Sequence, residues 1–282
     1  MWMRGPRPVI KIHSGILFFL IFMGQSLHAI NPTDPLDPNC ILAVDMKDGR
    51  GGVARDLSKS GLDMTLNGAA AWLEETQIFA DWRETLFSVR PASLTYAPLY
   101  GHAVYLTATA GIDLTTNVTT KFDFSGNKPF MWAIIISDYS IGFDAGQVSI
   151  FNWSQGANSC GLSLEITGGA NQTLNLNAAG IGTMSSWNIE YGRDTKPHMI
   201  GFWRDEAGHT DAYYDGKLVR SNSSIADMNT CGGGSAMNIG KAKTGAAGEM
   251  GGIVGPFWWW DKTVERNNAP GFFKAWLENQ SF

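Results

Sequence analysis

The chain has 282 residues, 44% of them hydrophobic and only 17% charged, which suits one large core and is short for two. Its 33 glycines, with many Ser, Thr and Asn, argue against a helical bundle and for a fold of short strands and tight turns. The formal net charge of −5 argues against nucleic acid as a partner.

Residues 1–29 have Arg4, Arg7 and Lys11 in front, the apolar run GILFFLIFMG at 15–24, and the small-residue end SLHA. This is the pattern of a signal peptide, so the mature protein is expected to be secreted, extracellular or periplasmic. No other segment approaches the roughly 20 apolar residues of a membrane span. Loss of the leader would leave 18 Lys and Arg against 26 Asp and Glu. INPTDPLDPN at 30–39, with three prolines, reads as an extended lead-in, and the domain as 40–282.

Strand candidates follow in order: 40–46, a short one at 62–66, then 102–114, 129–139, 147–153, 161–168, 172–180, 198–205, 210–216, 217–222 and 235–241. FMWAIII reads as a central strand buried on both faces, whereas SLEI and TLNLN alternate and should have one wet face. Ile78, Phe79, Trp82 and Leu86 recur at helical spacing, predicting a short amphipathic helix near 74–87. A second helix is expected in PGFFKAWLENQ, with Pro270 in its first turn. The fold class is therefore all-β: two packed antiparallel sheets, one short inserted helix and a short C-terminal helix.

Four stretches taken in order resemble the laminin-G-like branch of the concanavalin A-like lectin/glucanase jelly rolls, and the likeness spans nearly all of 40–282. They are VARDLSKSGLDMTLNGAAAW, FDFSGNKPFMWAIII, KPHMIGFWRDEAGHTDAYYDGKLV and MNIGKAKTGAAGEMGGIVGPFWWWDKTV. In YYDGKLV, Asp215-Gly216 is independently a two-residue hairpin turn. Two departures stand out. The stretch 72–100 is longer than the usual connection, and Val254, Gly255 and Pro256 replace an acidic pair that relatives often carry on the closing strand.

The resemblance implies a non-catalytic recognition module for a glycan or glycosylated partner. The alternatives are a structural or adhesion protein of a cell or virion surface, and a glycoside hydrolase or lyase on the same scaffold. Hydrolysis needs two carboxyls about 5 to 5.5 Å apart on one face, and no strand carries a Glu-x-Asp-x-Glu or Glu-x-Asp-x-x-Glu pattern. Sugar binding usually needs flat aromatic faces beside amides and carboxylates. Strand alternation in PFWWWD puts Phe257 and Trp259 on one face and Trp258 and Trp260 on the other. Alignment to the family's closing strand gives Trp258 the core position and leaves Trp259, with Phe257, as the platform; the competing reading packs both pairs inside. Trp82, Trp153 and Trp187 are expected in loop or rim contexts and rank second.

The resemblance also keeps calcium open as a cofactor, through Asp45, Asp48, Asp56 and Asp63; the competing reading is that these cap turns. Cys40, Cys160 and Cys231 allow one disulfide and leave one thiol, with the pairing open. Sequons stand at Asn117, Asn152, Asn171, Asn222 and Asn279. His198 heads a strand, where a structural hydrogen bond is the expected role.

Overall fold

The computed structural model describes residues 29–46, 51–68, 70–72, 103–106, 114–117, 124, 126–138, 147–154, 161–167, 173–178, 182–188, 198–222, 236–240, 248–249 and 252–280. The leader, the expected helix near 74–87, Asp48, Trp82, Cys160, Cys231 and Asn171 lie outside them.

Two sheets account for almost all of the described chain. Sheet I contains β1 (Cys40–Val44), β4 (Ala71–Trp72), β5 (Val104–Leu106), β7 (Phe130–Asp138), β12 (His198–Arg204), β13 (Thr210–Tyr214), β14 (Lys217–Asn222) and β17 (Gly252–Trp260). Its order is β14-β13-β12-β7-β17-β5-β4, with β1 also on β17. Sheet II contains β2 (Val53–Ala54), β3 (Met64–Leu66), β6 (Leu114–Asn117), β8 (Gln147–Ser154), β9 (Gly161–Thr167), β10 (Thr173–Ala178), β11 (Gly182–Asn188), β15 (Ala236–Ile239) and β16 (Gly248–Glu249). The order here is β11-β10-β9-β8-β15-β6-β3-β2, with β16 on β8 in the one parallel pairing described. This is the expected two-sheet antiparallel sandwich.

The expected single strand at 102–114 contributes instead to both sheets, through β5 in sheet I and β6 in sheet II. Nor are residues 31–39 extended. They form successive turns, with the buried Asp37 accepting the backbone N–H groups of Asn31 (2.8 Å) and Asn39 (2.8 Å).

The core between the sheets follows from alternation. In β7, Phe130, Trp132, Ile134 and Ile136 point inward to Leu42, Val44, Phe202, Phe257 and Trp259. Met131, Ala133 and Ile135 are also buried, because the other face of sheet I is covered by α1 (Ala269–Gln280). There Trp258 meets Trp276, Trp260 meets Phe272, and Tyr213 meets Phe273 in tilted and edge-on ring contacts. Gly201 permits this close approach, since a Cβ at that position would lie 2.9 Å from the Phe273 ring. FMWAIII is thus central and doubly covered, as its unbroken apolar run predicts. Pro270 falls in the first turn of α1.

An ion pair between the buried Asp211 and the partly exposed Arg266 ties the approach to α1 onto sheet I. Asp211 accepts Arg266 Nε at 2.7 Å and Nη2 at 2.6 Å, and Ser221 Oγ at 2.7 Å. Burial alone would raise the Asp211 carboxyl's pKa, but the hydrogen bonds from Arg266 and Ser221 outweigh it and hold the group below the ordinary carboxylate range. In the β13–β14 hairpin, Asp215 and Gly216 both take positive φ (49° and 74°), as the two-residue turn requires. His198 Nδ1 lies 2.8 Å from Asp215 Oδ2 and stacks on Tyr214, which is the structural role expected of it.

Candidate functional site

The aromatic platform expected on the closing strand does not form. Trp259 and Phe257 are fully buried in the core between the sheets, where Trp259 stacks on Phe124 and Phe130. Trp258, assigned to that core by alignment, faces α1 instead. The cause is a bulge: the register of β17 against β7 shifts between Val254 and Phe257, so Val254 and Phe257, three residues apart, both point inward. Without the bulge, Val254, Pro256, Trp258 and Trp260 would share that face; one extra residue reverses all that follows. Pro256 sits in this irregular stretch, where a missing N–H costs no ladder bond.

Trp153 and Trp187 stand in strands, not in loops. In the pairing register Trp153 is opposite Met237 and Trp187 is opposite Leu174. Every tryptophan whose burial is described (Trp72, Trp132, Trp203, Trp258, Trp259, Trp260 and Trp276) is buried.

Of the expected calcium ligands, Asp45, Asp56 and Asp63 are described and Asp48 is not. Asp56 is buried, and its carboxylate accepts hydrogen bonds from the N–H groups of Ala43, Ser58 and Leu62 and from Ser58 Oγ, all at 2.8–2.9 Å. Asp63 Oδ1 accepts the Asp56 N–H at 2.9 Å. Both organise the turn between β2 and β3, and Asp45 is buried beside β1. Among the described residues no three His, Cys, Asp or Glu stand together as a metal site. Cys40 is a buried free thiol whose pKa is driven up, chiefly by burial and then by the Asp56 charge. Of the sequons, Asn117 and Asn152 lie in β6 and β8, Asn222 ends β14, and Asn279 is exposed in the last turn of α1.

The outer face of sheet II has a different character. Leu66, Leu114, Ile239, Leu164 and Leu176 face the core from β3, β6, β15, β9 and β10, so Thr65, Thr115 and Asn238 stand on the other side. Pairing puts Thr65 opposite Thr115, Thr115 opposite Asn238, Asn238 opposite Asn152, Asn152 opposite Ser163, Ser163 opposite Asn177 and Asn177 opposite Thr183. One row across seven strands therefore holds only Thr, Asn and Ser. At one end of it Asn67 Nδ2 donates to Thr115 Oγ1 (2.9 Å), and Thr115 Oγ1 donates to Asn238 Oδ1 (2.9 Å). Beside these lies an open hollow of about 440 Å³ lined by Gly61, Leu62, Asp63, Thr65, Asn67, Thr115 and Thr116.

The strands of sheet II contain no Lys, Arg or His, and their only acids are Glu165 and Glu249. Hydroxyls and amides both donate and accept, so the register row is a run of neutral hydrogen-bonding residue types, with Glu165 in the adjoining row. Sequence reasoning saw a wet face in SLEI and TLNLN but did not single out these residues. The available signal was that the positions in this register row are Thr, Ser and Asn where an ordinary solvated face carries Lys and Glu.

No protein-family model matches the chain, and no curated protein sequence matches it. Solved structures do. The botulinum neurotoxin serotype G binding domain superposes with a TM-score of 0.58 at 13% identity, over 85% of this chain and 51% of that one. The serotype D ligand binding domain in complex with N-acetylneuraminic acid gives 0.56 at 11%, over 84% and 50%. A structure of botulinum neurotoxin type C, whose cell entry is described as dependent upon interaction with two ganglioside molecules, gives 0.57 at 13%, over 84% and 51%. This chain spans about half the length of the solved chains it matches, and at such identities the likeness is one of fold: a two-sheet sandwich of the kind found in toxin receptor-binding domains.

Proposed function

We propose that the chain is a secreted carbohydrate-recognition module, built on a laminin-G-like jelly roll, that binds its glycan on the outer face of sheet II. The observation that carries this reading is the register row of Thr, Asn and Ser across sheet II, at one end of which Thr65 and Thr115 line an open hollow and Thr115 donates to Asn238. Sugar hydroxyls are satisfied by such paired donors and acceptors. The sandwich neighbours crystallised with, or described as depending on, sialylated ligands support the class of partner, and the leader supports export.

The test is a glycan array probed with the mature chain and with the Asn238→Leu variant. Binding that the variant loses, with its tryptophan emission unchanged, is the expected result; an array with no glycan above background for either protein would remove the proposal. Export has its own check, since the N-terminus of protein recovered from the medium or periplasm should begin at residue 30.

A further inference from the structure

Resting on the reading above, we infer that the hollow beside Thr65 and Thr115 is a subsite for a sugar that bears a free amino group, held through its ammonium. The reason lies in where the protons of its lining are spent. Thr115 Oγ1 accepts from Asn67 Nδ2 and donates to Asn238 Oδ1, both at 2.9 Å. The buried Thr116 donates its hydroxyl proton to the Leu62 carbonyl at 3.2 Å. A threonine hydroxyl has one proton and two lone pairs, so both side chains have given up their donor and keep only acceptor capacity.

Asp63 adds the one charge. Its Oδ1 accepts the Asp56 N–H at 2.9 Å, which fixes the carboxylate on the turn that walls the hollow; its Oδ2 has no partner among the described residues. Against these acceptors the lining offers at most two donors, the Thr65 hydroxyl and the second Asn67 amide proton. No Lys, Arg or His lines the hollow, and Arg55 and Lys59, the nearest in sequence, are not among its residues.

A lining rich in acceptors and negatively charged selects its ligand by sign. An acidic sugar would set its carboxylate against Asp63 with no cation to pair it. A plain hydroxyl brings lone pairs along with its proton, and an acetamido group brings a carbonyl that the spent hydroxyls cannot serve. An ammonium brings three donors and no acceptor, which matches Asp63 Oδ2 and the Thr115 and Thr116 oxygens in number and sign. Its hydrogen bond to the carboxylate is charge-assisted, the stronger kind, and the chain's net charge of −5 favours its approach. The volume, about 440 Å³, is that of a small-ligand site.

The experiment is calorimetric titration of the mature chain with β-1,4-linked glucosamine oligomers, with the same oligomers fully N-acetylated, with the matching glucose oligomers and with trilysine. The protein is made without N-glycosylation, because Asn117, next to Thr116, lies in a sequon. The amine series is expected to bind about tenfold or more tighter than either uncharged series. That margin should shrink as salt is raised from about 0.05 to 0.5 M, because an exposed charge pair is screened. Asp63→Asn keeps an oxygen for the Asp56 N–H and removes the charge, and Thr65→Lys sets a cation at an exposed lining position. Both should abolish the margin while leaving thermal unfolding in place. Uncharged oligomers that bind as tightly as the amine series, or a margin that survives both substitutions, overturn the inference while the recognition function stands. Trilysine binding as tight as the amino sugar's overturns it too, and would give the hollow to a protein lysine. No binding to any glycan overturns both.

Discussion

The two sheets share one core and differ in what lies on their outer faces. Sheet I is covered by α1, so β7 and the end of β17 are buried on both sides and hold an aromatic layer of Trp258, Trp260, Phe272, Phe273 and Trp276. It also carries the ionic groups Arg204, Asp211, Lys217 and Arg220. No described helix covers sheet II, whose outward row is short, neutral and polar. A face that uses large aromatics and an ion pair to fasten a helix is committed to stability, whereas a register row of hydroxyls and amides suits a ligand. The tryptophans that suggest a sugar platform in the sequence therefore belong to the stability side.

The largest expected effect tests that assignment directly. Trp259→Ala removes a ring enclosed by Phe124, Phe130, Trp132 and Phe257. It should cost about 3–5 kcal/mol in denaturant unfolding. A binding platform would instead lose affinity with little change in stability.

The fold was largely readable because its physics is periodic. The alternation of SLEI and TLNLN, the double burial of FMWAIII, the Asp215-Gly216 turn and the Pro270 helix start each rest on a local rule. What was not readable depended on single residues out of period. β11, GTMSSWN, has too few apolar residues to signal a strand, and it pairs only with β10 at the sheet edge. The division of 102–114 between two sheets has no strong turn signal. The bulge at Gly255-Pro256 inverted the faces of the whole WWW run, and with them the expected binding residues. The row on sheet II escaped notice because it exists only across strands: Thr65, Thr115 and Asn238 are far apart in sequence and unremarkable one at a time.

The next effect separates the helix-bearing sheet by pH. Arg266→Ala leaves the 1% exposed Asp211 without its guanidinium. The loss should be about 2 kcal/mol, below the roughly 3–5 of a fully buried pair, because Arg266 itself is 43% exposed. The Asp211 carboxyl titrates below its ordinary value of 3.8, so its contribution is complete above that pH and fades as pH falls through the lower folded value. Urea unfolding across pH 2–6 should therefore show part of the wild-type acid destabilisation missing in Asp211→Asn. Equal acid slopes in the two proteins would refute the role given to the pair.

Gly201→Ala should cost about 1–2 kcal/mol, because the new methyl meets the fully buried Phe273 ring at 2.9 Å and forces it to shift. Near-ultraviolet circular dichroism should change with it, since the displaced helix carries Trp276 against Trp258. An unchanged spectrum and unchanged stability would mean that α1 is not seated on sheet I as described.

The smallest expected effect is on the other sheet. Thr65 is exposed on β3, between the core-facing Met64 and Leu66, so Thr65→Ala removes a hydroxyl and a methyl from a surface that no described helix covers. Its effect on unfolding should stay within about 0.5 kcal/mol. If the row is a ligand face, the same substitution weakens glycan binding, so stability and affinity separate at Thr65 and coincide at Trp259. A Thr65→Ala protein as destabilised as Gly201→Ala would mean that the outer face of sheet II is covered in solution, and the contrast between the sheets would no longer hold.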